Sequence, residues 1–232
     1  MRINRYVASG SGLSRRAADQ AIADGRVTVN GQLARTGQEV SADDRIFLDG
    51  KSLQTEALQT IMLNKPTGYV TSRNGQGNQT IYDLLPPDLH HLKPVGRLDK
   101  ASSGLLLLTN DGDLAQQLTH PSHQKTKVYE VTLDKSLQPL HRQMISDMGI
   151  SLEDGPSKLQ LERLKEGNDL AWRVTMHEGR NRQIRRTFAS LGYTVVTLHR
   201  TRFGPYLLHD LAPGGFTHLE IRTEAGKPPA PG

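Results

Sequence analysis

The chain has 232 residues, with 29 Lys and Arg against 24 Asp and Glu, a net charge of +5 and a sequence pI near 9.5. That length allows one large domain or a large and a small one, and the basic balance suits a polyanionic partner. With no cysteine, no apolar run of bilayer-spanning length and no apolar signal-peptide core in MRINRYVASGSG, disulfides, thiolate zinc and cysteine nucleophiles are excluded, and a soluble, cytoplasmic protein with no membrane partner is expected.

In chain order, Arg2 to Ser9 has a short helical pattern with Ile3, Tyr6 and Val7 on one face. Ser14 reads as the N-cap of a second helix, Arg15 to Ala23, with Arg15 and Arg16 in its first turn, where paired positive charges oppose the helix dipole. Gly25 ends that helix, Arg26 to Val29 reads as a strand, and Asn30-Gly31 is a hairpin signal. A domain over 1–48 is expected, then a polar linker over 49–59, a second domain over 60–222 and a disordered tail over 223–232. The second domain opens with a strand, Thr60 to Asn64, a turn at Pro66 to Gly68, a return strand at Tyr69 to Ser72 and a loop at Arg73 to Gln79. Further strands are expected at Leu105 to Thr109, Lys127 to Leu133, Leu159 to Lys165, Ala171 to Met176, Thr194 to His199 and Thr217 to Ile221. Helices are expected at Asp113 to Thr119, Pro139 to Asp147 and Asn181 to Ser190. Strands outnumber helices without alternating with them, so the fold class is α+β: a small helix-helix-hairpin domain, then a catalytic domain with a largely antiparallel mixed sheet.

The chemistry is found by exclusion first. None of the nine histidines stands in a metal-ligand frame, so no metal is expected. RNGQGN lacks the lysine of a phosphate-binding loop, and no GxSxG nucleophile elbow occurs. What remains is carboxylate chemistry without a cofactor. In GRLDKASSGLLLLTNDG, Asp99 stands with Arg97 at the mouth of a buried leucine strand. At neutral pH it is a carboxylate, available as a nucleophile or base. An isolated Asp99 would more simply cap its turn, accepting from the backbone N–H of Ala101 or Ser102. In HEGRNRQIRRTFASLGY, Ile184, Phe188 and Leu191 share a core face, Arg182 and Arg186 turn outward, and Arg185 flanks the core, within reach of a buried carboxylate. Arg180 and Arg182 suit RNA phosphates, whereas Arg186 reads as a solvated face. Tyr129 alternates with Val131 and Leu133 and points inward, as core or as a surface for a flipped-out base. Leu198, on the face expected to carry Val196 and Arg200, would wall such a base.

Two resemblances sharpen this. LSRRAADQAIADGRVTVNG resembles the ribosomal protein S-four type RNA-binding module from Arg2 to about Phe47, which implies that Arg15, Arg16 and Arg26 face structured RNA. GRLDKASSGLLLLTNDG, KVYEV, EGRNRQIRR and TLHRTRFG, in this order, resemble the ribosomal RNA pseudouridine synthases of the RsuA and RluB family, from Arg2 to about Leu219. The resemblance implies isomerisation of a chosen uridine in ribosomal RNA without metal or cofactor. It implies Asp99 as nucleophile, Arg97 in the space of the extruded base, and Tyr129 stacked on the uracil and assisting proton removal. Arg185 would pair with Asp99, and Leu198 would line the pocket. Ser102 stands where threonine is common and keeps the hydroxyl. EGRNRQIRR and LEDGPSK lean toward the large-subunit enzymes, acting as monomers on ribosomal RNA, with a pre-ribosomal particle as the expected partner. A non-catalytic assembly factor is the alternative reading; a methyltransferase would need a nucleotide-binding glycine loop that is absent.

Overall fold

A computed structural model describes residues 1–219 except 42, 55, 56, 121 and 123. The chain divides into two compact units, Met1–Leu58 and the part from Gln59 onward.

In the first unit, α1 (Ile3–Ser11) and α2 (Arg15–Ala23) pack beside a four-stranded sheet of β1 (Val27–Val29), β2 (Gln32–Leu33), β3 (Ile46–Leu48) and β4 (Lys51–Ser52), in the order β2-β1-β3-β4. Ser14 caps α2, its hydroxyl accepting from the Ala17 N–H at 3.1 Å. Asn30 and Gly31 both adopt positive φ, 50° and 84°, which the two-residue turn between β1 and β2 requires. Ile3, Val7, Ala18, Ala21, Ile22, Val27, Val29 and Ile46 form the core, and Leu53 joins it. Part of the stretch expected to be linker therefore serves this unit: Lys51–Ser52 pairs with β3, and Leu53 is buried.

The second unit contains β5 (Thr60–Lys65), two 3₁₀ turns (Ile81–Leu84 and Pro87–Leu89), β6 (Lys93–Val95), β7 (Ser103–Thr109), α3 (Gly112–Thr119) and β8 (Lys127–Leu133). There follow α4 (Pro139–Gln143), which runs into a π-helical turn at Met144–Met148, then β9 (Ile150–Leu152), β10 (Gly155–Ser157), β11 (Gln160–Arg163), β12 (Ala171–Met176), α5 (Gln183–Ala189), β13 (Val195–Phe203), β14 (Tyr206–Leu207) and β15 (Phe216–His218). The large sheet runs β11-β12-β8-β13-β7-β5-β15, with β14 on β13 and β6 on β7; β9 and β10 form a separate hairpin. Among the described strand pairs of this unit, β13–β7 alone is parallel. The α+β, mostly antiparallel expectation holds.

The leucine run explains the centre of the sheet. Leu106 and Leu108 enter the main core, and Leu105 and Leu107 enter a smaller core on the other face with Met62, Val95, Leu118 and Phe203. A strand covered on both sides needs an unbroken apolar run rather than alternation. Gly104, at φ +104°, sits where β7 meets β13; a Cβ there would lie 2.3 Å from the Arg200 carbonyl oxygen. This close approach carries Leu198 and Arg200 to the start of β7, next to Asp99.

Several element boundaries differ from expectation. Tyr69 to Ser72 is not a strand; only Val70 makes a single bridge, to Thr80. The helix expected over Pro139 to Asp147 is α-helical only to Gln143. Residues 220–232, including the end of the last expected strand and the tail, lie outside the described residues. Among those described, no helix is long and apolar enough to cross a membrane, and no His, Asp and Glu side chains are grouped to hold a metal.

Candidate active site

The loop from Gly96 to Ser102 is closed by its backbone and by a buried lysine. The Ser102 N–H donates to the Asp99 carbonyl at 3.0 Å, and Gly68 N–H donates to the Lys100 carbonyl at 2.8 Å. Thr71 Oγ1 donates to the Leu98 carbonyl at 2.8 Å. Lys65, at the end of β5 and 0% exposed, donates from Nζ to the carbonyls of Pro66 (3.0 Å), Asp99 (3.1 Å) and Ser102 (2.8 Å). Burial pushes its ammonium down to about 8, against the opposing pull of the Asp99 charge. The turn is thus satisfied without the Asp99 side chain. Its carboxylate instead faces a cavity of about 820 Å³, lined among others by Arg97, Asp99, Ser102, Tyr129, Ile184, Leu198 and Arg200.

Tyr129 and Leu198 come to this cavity from adjacent strands, each 8% exposed. Leu198 is opposite Val131 and Arg200 opposite Tyr129 in the β13–β8 register. Val196 does not share their face. A register shift between Val195 and Thr197 turns it outward, 58% exposed. Arg97 is exposed and lines the cavity from the loop's start.

The arginines are arranged differently from the helical reading. Helix α5 begins at Gln183; Arg182 precedes it in the left-handed region, φ 46° and ψ 30°, a conformation that non-glycine residues adopt mainly when their surroundings impose it. This aims Arg182 into the cavity, where its Nη1 lies 3.5 Å from Asp99 Oδ2. Among the described residues, the ion partner of Asp99 is Arg182. The direct Arg185–Asp99 pair expected from sequence is not formed. Arg185 donates from Nη1 to the Val195 carbonyl (2.7 Å) and from Nη2 to the Ala101 carbonyl (2.8 Å), tying the Asp99 loop to the start of β13. Burial first and the like charge of Arg182 second lower its guanidinium from arginine's usual value, and the Asp99 charge opposes them.

Arg180 is engaged as a brace rather than left free for phosphate. Its Nη1 donates to the Asp154 carboxylate (3.0 Å) and to the Asp154 and Gly155 carbonyls, its Nη2 to the Pro156 carbonyl, and its Nε pairs with Glu178 at 3.0 Å. Arg186, read as a solvated face, also holds Asp154, and these hydrogen bonds depress that carboxyl. Gln183 and Thr187 bond Ser157. The β9–β10 hairpin, LEDGPSK, is thus the support on which EGRNRQIRR is mounted. In the first unit Arg26 is held by Asp49 through Nε and Nη2 at 2.8 and 2.5 Å, whereas Arg15 and Arg16 are exposed and Arg15 makes one long bond, 3.5 Å, to Asn4.

A family model described as RNA pseudouridylate synthase matches residues 59–190, and an S4 domain matches residues 1–46. The chain belongs to the RNA pseudouridylate synthase family. It is therefore placed among the isomerases, with an RNA-binding module ahead of the catalytic unit. It is 36% identical over 226 residues to an uncharacterized RNA pseudouridine synthase of Aquifex aeolicus (strain VF5), covering 94% of this chain and 90% of that one. It is 37% identical to the ribosomal large subunit pseudouridine synthase B of Xanthomonas campestris pv. campestris, over 99% of this chain but about half, 51%, of the relative's length. A crystal structure of a pseudouridylate synthase matches with a TM-score of 0.67 at 34% identity, covering 95% of this chain and 96% of the other.

Lys65 is missed by the sequence reading, and Arg182, expected to turn outward to RNA phosphates, stands beside Asp99 instead. Lys65 had a visible signal: it ends an apolar strand immediately before Pro66, where a charge has no solvent to enter. For Arg185 the contacts specify a result. Arg185→Ala should lower kcat about 100-fold by loosening the Asp99 loop, with RNA affinity little changed, and Arg185→Lys should recover part of the loss through its remaining donors. Single-turnover assays beside binding titrations check this; equal losses in affinity and rate would contradict it.

Proposed function

We propose that this chain converts a uridine of ribosomal RNA, with the large subunit favoured, to pseudouridine, with Asp99 as the nucleophile. The observation that carries the reading is the Asp99 carboxylate, unused by its own turn and facing a cavity large enough for a nucleotide beside an inward tyrosine and a leucine. In the isomerisation the bond from uracil N1 to ribose C1′ breaks, the base turns, C5 bonds C1′, and the C5 proton leaves to solvent while N1 gains one. Detachment leaves positive character on the ribose, which an adjacent carboxylate stabilises or captures. Tyr129 stacks on the base and assists removal of the C5 proton, Leu198 walls it, and Arg97 occupies the space it leaves. Arg182 holds Asp99 in the free protein, and Arg185 acts as a positioning residue through Ala101. Relatives named for the large ribosomal subunit support the substrate class. The cavity also carries Arg97, Lys125, Lys127, Arg180, Arg182 and Arg200 against Asp99 and Glu178, a balance that suits RNA.

Tritium release tests the reading. Ribosomal RNA from a strain lacking the gene, tritiated at uridine carbon five, should release about one tritium per molecule of the substrate subunit's RNA when the protein is added. RNA from a strain carrying the gene should release none, because the site is already converted. No release from either RNA, or release in proportion to all uridines, would refute site-specific isomerisation.

In the first unit, Arg15 and Arg16 are exposed and form no ion pair among the described residues, whereas Arg26 is already neutralised by Asp49. Replacing both Arg15 and Arg16 by alanine should reduce the salt dependence of ribosomal RNA binding by about 1.4–1.8 in log–log slope, whereas Arg26→Ala should change it less. An unchanged slope in the double variant would show that these charges only solvate the surface.

A further inference from the structure

The corner of the cavity formed by Arg200, Lys127 and Phe203 holds more positive charge than the fold uses. Arg200 is 2% exposed. Its Nε donates to the Leu105 carbonyl at 2.8 Å, while Nη2 is buried with no hydrogen-bond partner. Its guanidinium carbon lies 4.9 Å from the centre of the Phe203 ring. Lys127 Nζ lies 5.5 Å from the same ring and donates to the Lys125 carbonyl at 3.3 Å. Among the described residues neither cation is paired with a carboxylate. Burial lowers the Lys127 ammonium from its usual value, and the Arg200 charge lowers it further.

Two cations gathered on one aromatic ring, Arg200 buried and Lys127 half-buried, with no carboxylate partner among the described residues, are costly. A single hydrogen bond to Leu105 does not require a full guanidinium, since a neutral donor could make it. The cost is understandable if a permanent anion arrives there. The negative charge that develops on a detached uracil is transient and gives no ground-state relief, whereas a phosphodiester carries its charge throughout.

Resting on the reading that an RNA nucleotide enters this cavity, we propose that Arg200 and Lys127 form a binding site for the phosphodiester next to the extruded nucleotide. Both side chains line the cavity; the Arg200 guanidinium, whose Nη2 the fold leaves without a partner, and the Lys127 ammonium supply two positive charges to the phosphodiester. Asp99 and this corner then hold the nucleotide at two points, the sugar by the carboxylate and the backbone by the cations, which fixes its orientation before the glycosidic bond breaks.

The test uses the full chain with the tritiated ribosomal RNA from the deletion strain. Arg200→Gln and Lys127→Gln should each raise KM about tenfold, as loss of a charge-assisted bond does, and each should lower the salt slope of binding by about 0.7–0.9. Arg200→Lys should keep the slope. Arg173→Gln, which removes an exposed cation paired with Glu162 outside the cavity, should keep both. Wild-type slope and KM in folded Arg200→Gln and Lys127→Gln would overturn the proposal. So would a fall in kcat at unchanged slope and KM, which would assign the guanidinium to the base instead. If Arg200→Gln fails to fold, Lys127→Gln decides by the same slope. Should the wild type release no tritium, the isomerisation reading has failed, and the slopes still judge the phosphate site.

Discussion

Asp99→Asn should bind ribosomal RNA with wild-type affinity and lose pseudouridine formation by a factor of about 10⁴ or more, as removal of a nucleophile does. The asparagine keeps the size of the side chain and cannot supply a carboxylate. It also leaves the turn intact, because the bonds that close that turn run to the Asp99 carbonyl from Ser102 N–H and Lys65 Nζ. The thermal midpoint should therefore move little. An aspartate retained only to cap its turn predicts the reverse, lost stability with residual turnover. Tritium release and thermal melts on the same preparation separate the two.

Lys65→Met should be the most damaging substitution outside the carboxylate itself. It removes the donor to three carbonyls in a site closed to solvent, and each stranded acceptor costs about 1–3 kcal/mol. Relief of the buried ammonium's own desolvation offsets part of this, leaving a loss of about 2–4 kcal/mol. For a unit of this size that lowers the midpoint by roughly 5–15 °C, and the loosened Asp99 loop should lower kcat as well. The lysine also sets a pH dependence. Its folded pKa of about 8 lies below the ordinary 10.5, so between those values the unfolded chain binds more protons than the native one. Unfolding free energy from this group then rises with pH in that window, by at most about 1.4 kcal/mol per pH unit. Below pH 8 both states are protonated and the contribution is flat. Comparing urea unfolding of the wild type and of Lys65→Met at pH 7, 8.5 and 9.5 isolates it; equal pH slopes in the two proteins would contradict the assignment.

Much of this architecture is legible in the sequence because local chemistry and global fold agree. Four consecutive leucines announce a strand covered on both faces, Asn30-Gly31 announces its turn, and Ser14 announces its helix. The alternation in KVYEVTL places Tyr129 on the buried face. What the sequence does not show depends on departures from regular periodicity. Extending helical geometry back to Asn181 turns Arg182 outward, whereas its left-handed conformation turns it to Asp99. A strand irregularity at Val195–Thr197 sends Val196 to the surface. The jobs of Arg180 and Arg185 were obscured for another reason: their partners are mostly carbonyls and acids from distant elements, β9–β10, Ala101 and Val195, which no spacing in one segment encodes.

The proposed reaction makes one pseudouridine in ribosomal RNA through Asp99. Carbodiimide primer extension over the ribosomal RNAs of a deletion strain tests it most directly. A single stop present in the parent should disappear from the large-subunit RNA, and should return with the wild-type gene but not with Asp99→Asn. An unchanged map in the deletion strain, or restoration of the stop by Asp99→Asn, would contradict it.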